Sequence, residues 1–166
     1  MAIILGIDPG LASTGYGVIR VDGGHLSHLG HGSLTTAPGE DQSMRLLSIR
    51  KGMLDVLSRY RPDQAGVESL FFSRNVRSAL PVAEARGVIL MCMAEAGVAC
   101  TDHTPLKVKQ AVLGHASADK QQIGAMVRVL FRLDPDEQLT HHAADALAVA
   151  VCHAHSSQIE QWKELR

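Results

Sequence analysis

The sequence predicts an α/β fold built on a five-stranded mixed sheet, with three antiparallel strands followed by parallel ones, flanked by helices. Three observations carry that expectation. Residues 2–8 are a continuous apolar run too short for a helix, which reads as a buried central strand. Two further strand-like segments follow directly, split by a tight-turn sequence. From residue 41 onward, stretches with apolar residues three and four apart alternate with short apolar runs, the pattern of helices laid on a sheet.

Taken in order, residues 2–8 (AIILGID) make the first strand, ended by Pro9 and Gly10. Residues 15–21 (GYGVIRV) make the second, Asp22-Gly23-Gly24 turns the chain, and a third strand near 25–34 completes an antiparallel meander. Pro38-Gly39 punctuates the chain before a helix over 41–60, in which Leu46, Leu47, Ile49, Met53, Leu54, Leu57 and Tyr60 form one apolar face. Arg61-Pro62-Asp63 stops that helix, and 64–68 (QAGVE) is a short buried strand. Residues 75–97 read as a long helix interrupted early by Pro81, and residues 99–103 as a fifth strand. Short helices near 105–113 and 119–132 lead to a last helix over about 142–155. No repeat or linker divides the chain, so one domain over 1–156 and a C-terminal tail over 157–166 are expected.

Composition narrows the class. A chain of 166 residues is long enough for one real core, and with only 4% aromatics that core must come mainly from Ala, Val, Ile and Leu. The N-terminus MAIILGIDPG has no basic leader, and its apolar run is too short for a signal peptide or membrane span, so cytoplasmic residence is expected. Cys92, Cys100 and Cys152 are odd in number and lack CxxC spacing, which fits reduced, mostly buried thiols rather than disulfides or a thiolate metal site. His25, His28 and His31 recur every three residues in a strand, a spacing that does not keep them on one face, so they are expected at the surface. His153 and His155 are likewise expected to be solvated. The net charge of −1 runs mildly against nucleic-acid binding, but between Arg74 and Arg132 eight basic residues face four acids, a local net of +4. That surplus fits either a phosphate-binding face beside an acidic site or a plain solvated face.

The informative feature is where acids interrupt apolar strands. Asp8 ends the first strand, and Glu68 ends the fourth, which this topology sets beside the first. A carboxylate at the end of a buried strand is costly unless paired or bound to a cation, and two close together need a cation or a shared proton. His142 and Asp145, three residues apart at the start of the last helix, share a helix face. Each acid alone also suits a turn or a helix end. Together, Asp8, Glu68, His142 and Asp145 form a donor set for hard divalent cations. Two Mg²⁺ or Mn²⁺ ions, roughly 3.5–4 Å apart, are the expected cofactors for in-line phosphodiester cleavage.

The element order is that of the ribonuclease H-like fold, and the motifs go further. ILGIDPGLASTGYGVI resembles the first motif of the RuvC-type Holliday-junction resolvases, and GVESLFFSRN the second. PLKVKQAVLGHASADKQQI is similar to the basic segment of that family, and HHAADALAVAV to its closing helix. The resemblance implies a structure-selective endodeoxyribonuclease with Asp8, Glu68, His142 and Asp145 as its catalytic tetrad, and it runs through almost the whole chain. The family often carries aspartate where His142 stands, so activity here is expected to depend more on Mn²⁺ and on pH.

The family resemblance implies that Phe71, in GVESLFFSRN, stacks on a base at the junction centre, although paired phenylalanines are also common in cores. Arg74, Asn75, Arg77, Lys109 and Lys120 are the candidate phosphate contacts, and each also fits an ordinary surface position. The implied partners are four-way junction DNA, a second copy of the chain and a branch-migration helicase. A homodimer would suit the two-fold symmetry of the junction, and the apolar segment Ala79–Ala96 is a candidate interface. Three other readings remain: a nuclease for another branched DNA or an RNA–DNA hybrid, a non-catalytic junction-binding module, and a sugar-kinase or actin-type ATPase. The last is disfavoured because a single short domain lacks a second DxG hairpin.

Overall fold

The N-terminal apolar run forms the middle of the sheet. In the computed structural model, which describes residues 1–69, 76–115 and 120–164 (side chains of 76–78, 120 and 158–164 excepted), β1 spans Ala2–Asp8, β2 Ser13–Asp22 and β3 His25–Thr35. Then come α1 (Gln42–Tyr60), β4 (Gln64–Glu68), α2 (Val76–Glu95), β5 (Ala99–His103), α3 (Pro105–Leu113), α4 (Lys120–Phe131) and α5 (His141–Glu164). The strand order is β3-β2-β1-β4-β5, with β1–β2 and β2–β3 antiparallel and β1–β4 and β4–β5 parallel. This is the mixed sheet of the ribonuclease H-like fold that the sequence predicts.

Because successive strand residues face opposite sides of the sheet, the run Ile4-Leu5-Gly6-Ile7 serves two cores. Leu5 and Ile7, with Val18, Ala65 and Val67, pack under Ile49, Met53 and Leu57 of α1 and Ala85, Ile89 and Met93 of α2. Ile4 and Ile19 face the other way, against Val108 of α3, Ile123 and Val127 of α4, and Leu147 and Ala150 of α5. Helix α5 lies closest to the sheet because both surfaces are stripped of bulk. A Cβ on Gly6 would overlap the backbone at Ala146 and Ala150, and one on Gly15 would overlap the His142 carbonyl.

Three features differ from the sequence pattern. Pro81 does not interrupt α2, which runs unbroken from Val76 to Glu95. Lying near the start of the helix, it removes one ladder bond only. Helix α5 continues to Glu164, beyond the expected end near 155. The register of β3 shifts as well: Val18 pairs with Gly30 but Ile19 with His28, leaving Leu29 as an extra residue. This bulge turns His28 and His31 to one side, half-buried with ring centroids 5.0 Å apart, where a regular strand would have separated them. His25, at the start of the strand, is exposed as expected, and so is His155.

His153 is also a correction, being buried rather than solvated. Its Nε2 lies 3.0 Å from Gln64 Oε1 and its Nδ1 3.0 Å from His103 Nε2, so the strands below α5 satisfy both ring nitrogens. Cys92 and Cys152 are buried and Cys100 is half-buried, all as free thiols. Burial pushes the Cys100 thiol up to about 11. Among the described residues no helix is long and apolar enough to cross a membrane.

Candidate active site

The alternation that splits the cores also places the acids. Ile7 and Val67 are register partners on parallel strands, and both point into the α1–α2 core. The next residues, Asp8 and Glu68, therefore turn to the opposite face, where α5 begins. Each is the last residue of its strand and each is half-buried. Glu68 is in turn the register partner of His103 at the end of β5.

The chain beyond Asp8 is locked rather than loose. The fully buried Thr14 hydroxyl donates to the Gly10 carbonyl at 2.7 Å and accepts the Gly10 N–H at 3.3 Å. The Thr36 hydroxyl donates to the Leu11 carbonyl at 2.7 Å and accepts from Arg45 Nε at 2.8 Å. These bonds hold the Pro9–Ala12 turn and so fix the strand end that carries Asp8.

The fourth and third donors come from the first turns of α5. Thr140 caps this helix: its hydroxyl accepts the Ala143 N–H at 3.1 Å and lies 2.6 Å from the Ser33 hydroxyl of β3. The helix start is thereby tied to the sheet, with Gly15, the register partner of Asp8, beneath His142. His142 Nδ1 lies 2.7 Å from Asp8 Oδ2, with side-chain exposures of 46% and 15%. An ionised carboxylate can only accept, so the imidazole nitrogen carries the proton in this bond. Asp145, half-buried, follows one turn later.

Asp8 and His142 are thus in direct contact at the carboxyl end of β1, while Glu68 ends the neighbouring strand and Asp145 follows three residues later on α5. Three carboxylates and an imidazole fit a divalent cation: oxygen donors predominate, and a cation would offset the like charges. Their donor atoms stand in an open arrangement, since the one trio within 4.8 Å of one another among the described residues is elsewhere, at His28, His31 and Glu137.

The proposed DNA contacts fare differently. Lys109 is half-buried on α3, beside Val108, which packs against α5. Phe71, Arg74 and Asn75, and the side chains of Arg77 and Lys120, lie outside the described residues. Sequence reasoning missed Thr14 and Thr140. A threonine just ahead of a helix is an N-cap signal and could have revealed Thr140, whereas nothing local marks Thr14.

Comparison with known proteins adds independent findings. Residues 4–153 match the family described as crossover junction endodeoxyribonuclease RuvC. The chain is 48% identical over 158 residues to the protein of that name from Heliobacterium modesticaldum, covering 93% of this chain and 94% of the relative. It is 41% identical over 160 residues to the one from Caldanaerobacter subterraneus, covering 94% of each. Among solved structures it resembles Thermus thermophilus RuvC in complex with a Holliday junction substrate, with a TM-score of 0.88, 36% identity and coverage of 96% of this chain and 97% of that one. The yeast mitochondrial Holliday junction resolvase Ydc2 shares the fold at a TM-score of 0.70 and 10% identity, covering 98% of this chain and 82% of that one.

Proposed function

The chain belongs to the RuvC family of crossover junction endodeoxyribonucleases, and on that footing we propose that it resolves Holliday junctions by metal-dependent hydrolysis of DNA phosphodiester bonds. The observation that carries the reading is the meeting of Asp8 with His142 at 2.7 Å, beside the strand end that holds Glu68 and one helical turn from Asp145. These four residues are the catalytic and metal-holding set. Two Mg²⁺ or Mn²⁺ ions bound there would supply Lewis acidity both for attack of water in line on the phosphorus and for departure of the 3′-oxygen.

The chain's own groups do the positioning. Asp8 and Glu68 are fixed by strand ends that cannot shift without breaking the sheet, and Asp145 rides on a helix capped and tied down by Thr140. His142 takes one unit of negative charge out of the usual acidic set, which favours Mn²⁺ and makes activity sensitive to pH near neutrality. Phe71 stacks on an unpaired base at the junction centre, while Arg74, Asn75, Arg77, Lys109 and Lys120 contact the backbone. Two copies act together as a homodimer in the cytoplasm, cutting two strands of like polarity, in partnership with a branch-migration helicase.

The test is incision of a synthetic four-way junction in Mg²⁺ and in Mn²⁺. Wild-type protein is expected to make paired, symmetric nicks, and Asp8→Asn to bind the junction without cutting. Full incision by the Asp8→Asn protein would remove the tetrad. Equal cutting of simple duplex or of an RNA–DNA hybrid would remove the junction specificity.

A further inference from the structure

A second cluster of donors lies away from the tetrad, where the β3 bulge turns two histidines toward the loop between α4 and α5. His28 Nε2 and His31 Nδ1 are 2.9 Å apart, and Glu137 Oε1 is 3.7 Å from His31 Nδ1. All three donor atoms lie within 4.8 Å of one another. From these we infer a second metal site that takes Zn²⁺ or a similar transition-metal ion on His28, His31 and Glu137.

The chemistry of the donors points to this class of ion. Two imidazoles and one carboxylate with a fourth position open are a zinc-type set, whereas Mg²⁺ prefers an octahedron of oxygens. With metal–nitrogen bonds of 2.0–2.1 Å, tetrahedral ligands stand about 3.4 Å apart. The 2.9 Å and 3.7 Å gaps lie on either side of that spacing, so small side-chain rotations are enough.

The surroundings hold the ligands in a binding form. His31 Nε2 lies 3.0 Å from the Gln138 carbonyl, an acceptor only, so the proton sits on Nε2 and Nδ1 carries the lone pair. The His31 side chain is 5% exposed and fixed. His28 lies against the Phe131 ring with centroids 6.0 Å apart. In the metal-free state His28 donates its Nε2 proton to His31. Binding moves that proton to Nδ1 of His28, and no net proton is lost. Glu137 is held from behind, its carbonyl accepting from Arg128 Nη2 at 2.9 Å. An open groove of about 440 Å³ lined by His28 and Glu137 gives water access to the fourth position.

An ion here would tie the 132–140 connection to β3, next to the Ser33–Thr140 bond that anchors α5. Its role is that of a clamp, and it does not depend on the nuclease reading.

The test is binding of Zn²⁺, with Co²⁺ as the spectroscopic probe, to the full chain in excess Mg²⁺. One tight event is expected that survives in Asp8→Asn and is lost in the His28→Gln/His31→Gln double variant. The half-exposed Glu137→Gln variant keeps the fold test separate and is expected to weaken binding at least 10-fold, since even outer-shell changes cost about 10–100-fold. Bound Co²⁺ should give the intense visible bands of a tetrahedral site without the near-ultraviolet thiolate band that Cys100 or Cys152 would add. Zn²⁺ should also raise the melting temperature of wild type and of Asp8→Asn, and that of Glu137→Gln by clearly less at the same Zn²⁺ concentration. A Zn²⁺ event untouched by Glu137→Gln, or a thiolate band, would overturn the assignment.

Discussion

His153 shows what burying a titratable side chain does to this protein. Burial, and after it the neighbouring His103 ring, push its pKa from the ordinary imidazole value of 6.5 down to about 4. Its two nitrogens are already committed to Gln64 and His103, so an added proton would have no acceptor within the pair. Between pH 6.5 and 4 the unfolded chain binds a proton that the folded chain refuses. Stability is therefore intact above pH 6.5 and declines as the pH falls toward 4. After allowance for partial solvent screening, the loss is about 2 kcal/mol by pH 4. At about 2–4 °C per kcal/mol for a chain of this size, this is roughly 4–8 °C of melting temperature. His153→Gln is expected to flatten the fall in melting temperature between pH 7 and pH 4. Parallel curves for wild type and variant would show that this histidine does not carry the effect.

At the scale of elements, the tetrad depends on how closely α5 approaches the sheet. Gly15 pairs with Asp8 and has no room for a Cβ beneath the His142 carbonyl, so one methyl group there must lift the start of α5. Gly6 makes the same demand one turn further along, beneath Ala146 and Ala150, away from the donors. Both Gly15→Ala and Gly6→Ala should cost about 1–3 kcal/mol as overpacking. Only Gly15→Ala is expected to cut junction cleavage about 100-fold, because a shift of about 1 Å at a positioned group costs that much. Equal loss of cleavage in the two variants would mean that His142 is not being placed by this contact. Much of this arrangement was legible in the sequence, because turns or Gly/Pro breaks mark most strand ends and the acids fall at strand ends where alternation decides their face. What was not legible comes from pairing between distant segments. The Leu29 bulge exists only in the register of β2 against β3, so His28 and His31 read as scattered, and His153 read as solvated because β4 and β5 lie far from it in sequence. The direct bond between Asp8 and His142 spans 134 positions and has no local mark. The α1 span, by contrast, followed from apolar spacing, while α2 and α5 departed from expectation at Pro81 and at the far end of α5.

For the whole molecule, exposed apolar side chains stand on both sides of the sheet, among them Leu106 at 55% on α3 and Val129 at 73% on α4. On the α5 side, helices cover the sheet and leave the tetrad at its edge. On the other side, α2 carries Leu80 at 58% and Met91 at 45% exposure, while α1 carries Met44 at 47% and Leu47 at 37%. Leu80 and Met91 are close to three full turns apart on α2, so they lie along one line of the helix. The exposed Gly87 between them would let another surface come near. Exposed apolar side chains aligned this way fit a self-complementary interface, and a two-fold dimer would carry two tetrads to two strands of a symmetric junction. A stable interface of this kind buries at least about 1,000 Å², of which a charged pair at its middle would remove the favourable part. Wild-type protein is expected to sediment as a dimer, and Leu80→Asp/Met91→Asp as a monomer with an unchanged circular dichroism spectrum, because both side chains are exposed. The monomer should still nick a junction but lose the pairing of cuts, so that singly nicked product accumulates while resolved duplexes fall at least 10-fold. A double variant that stays dimeric would move the interface to another face of the molecule. One that is monomeric yet still cuts both strands in concert would break the link between the dimer and paired incision.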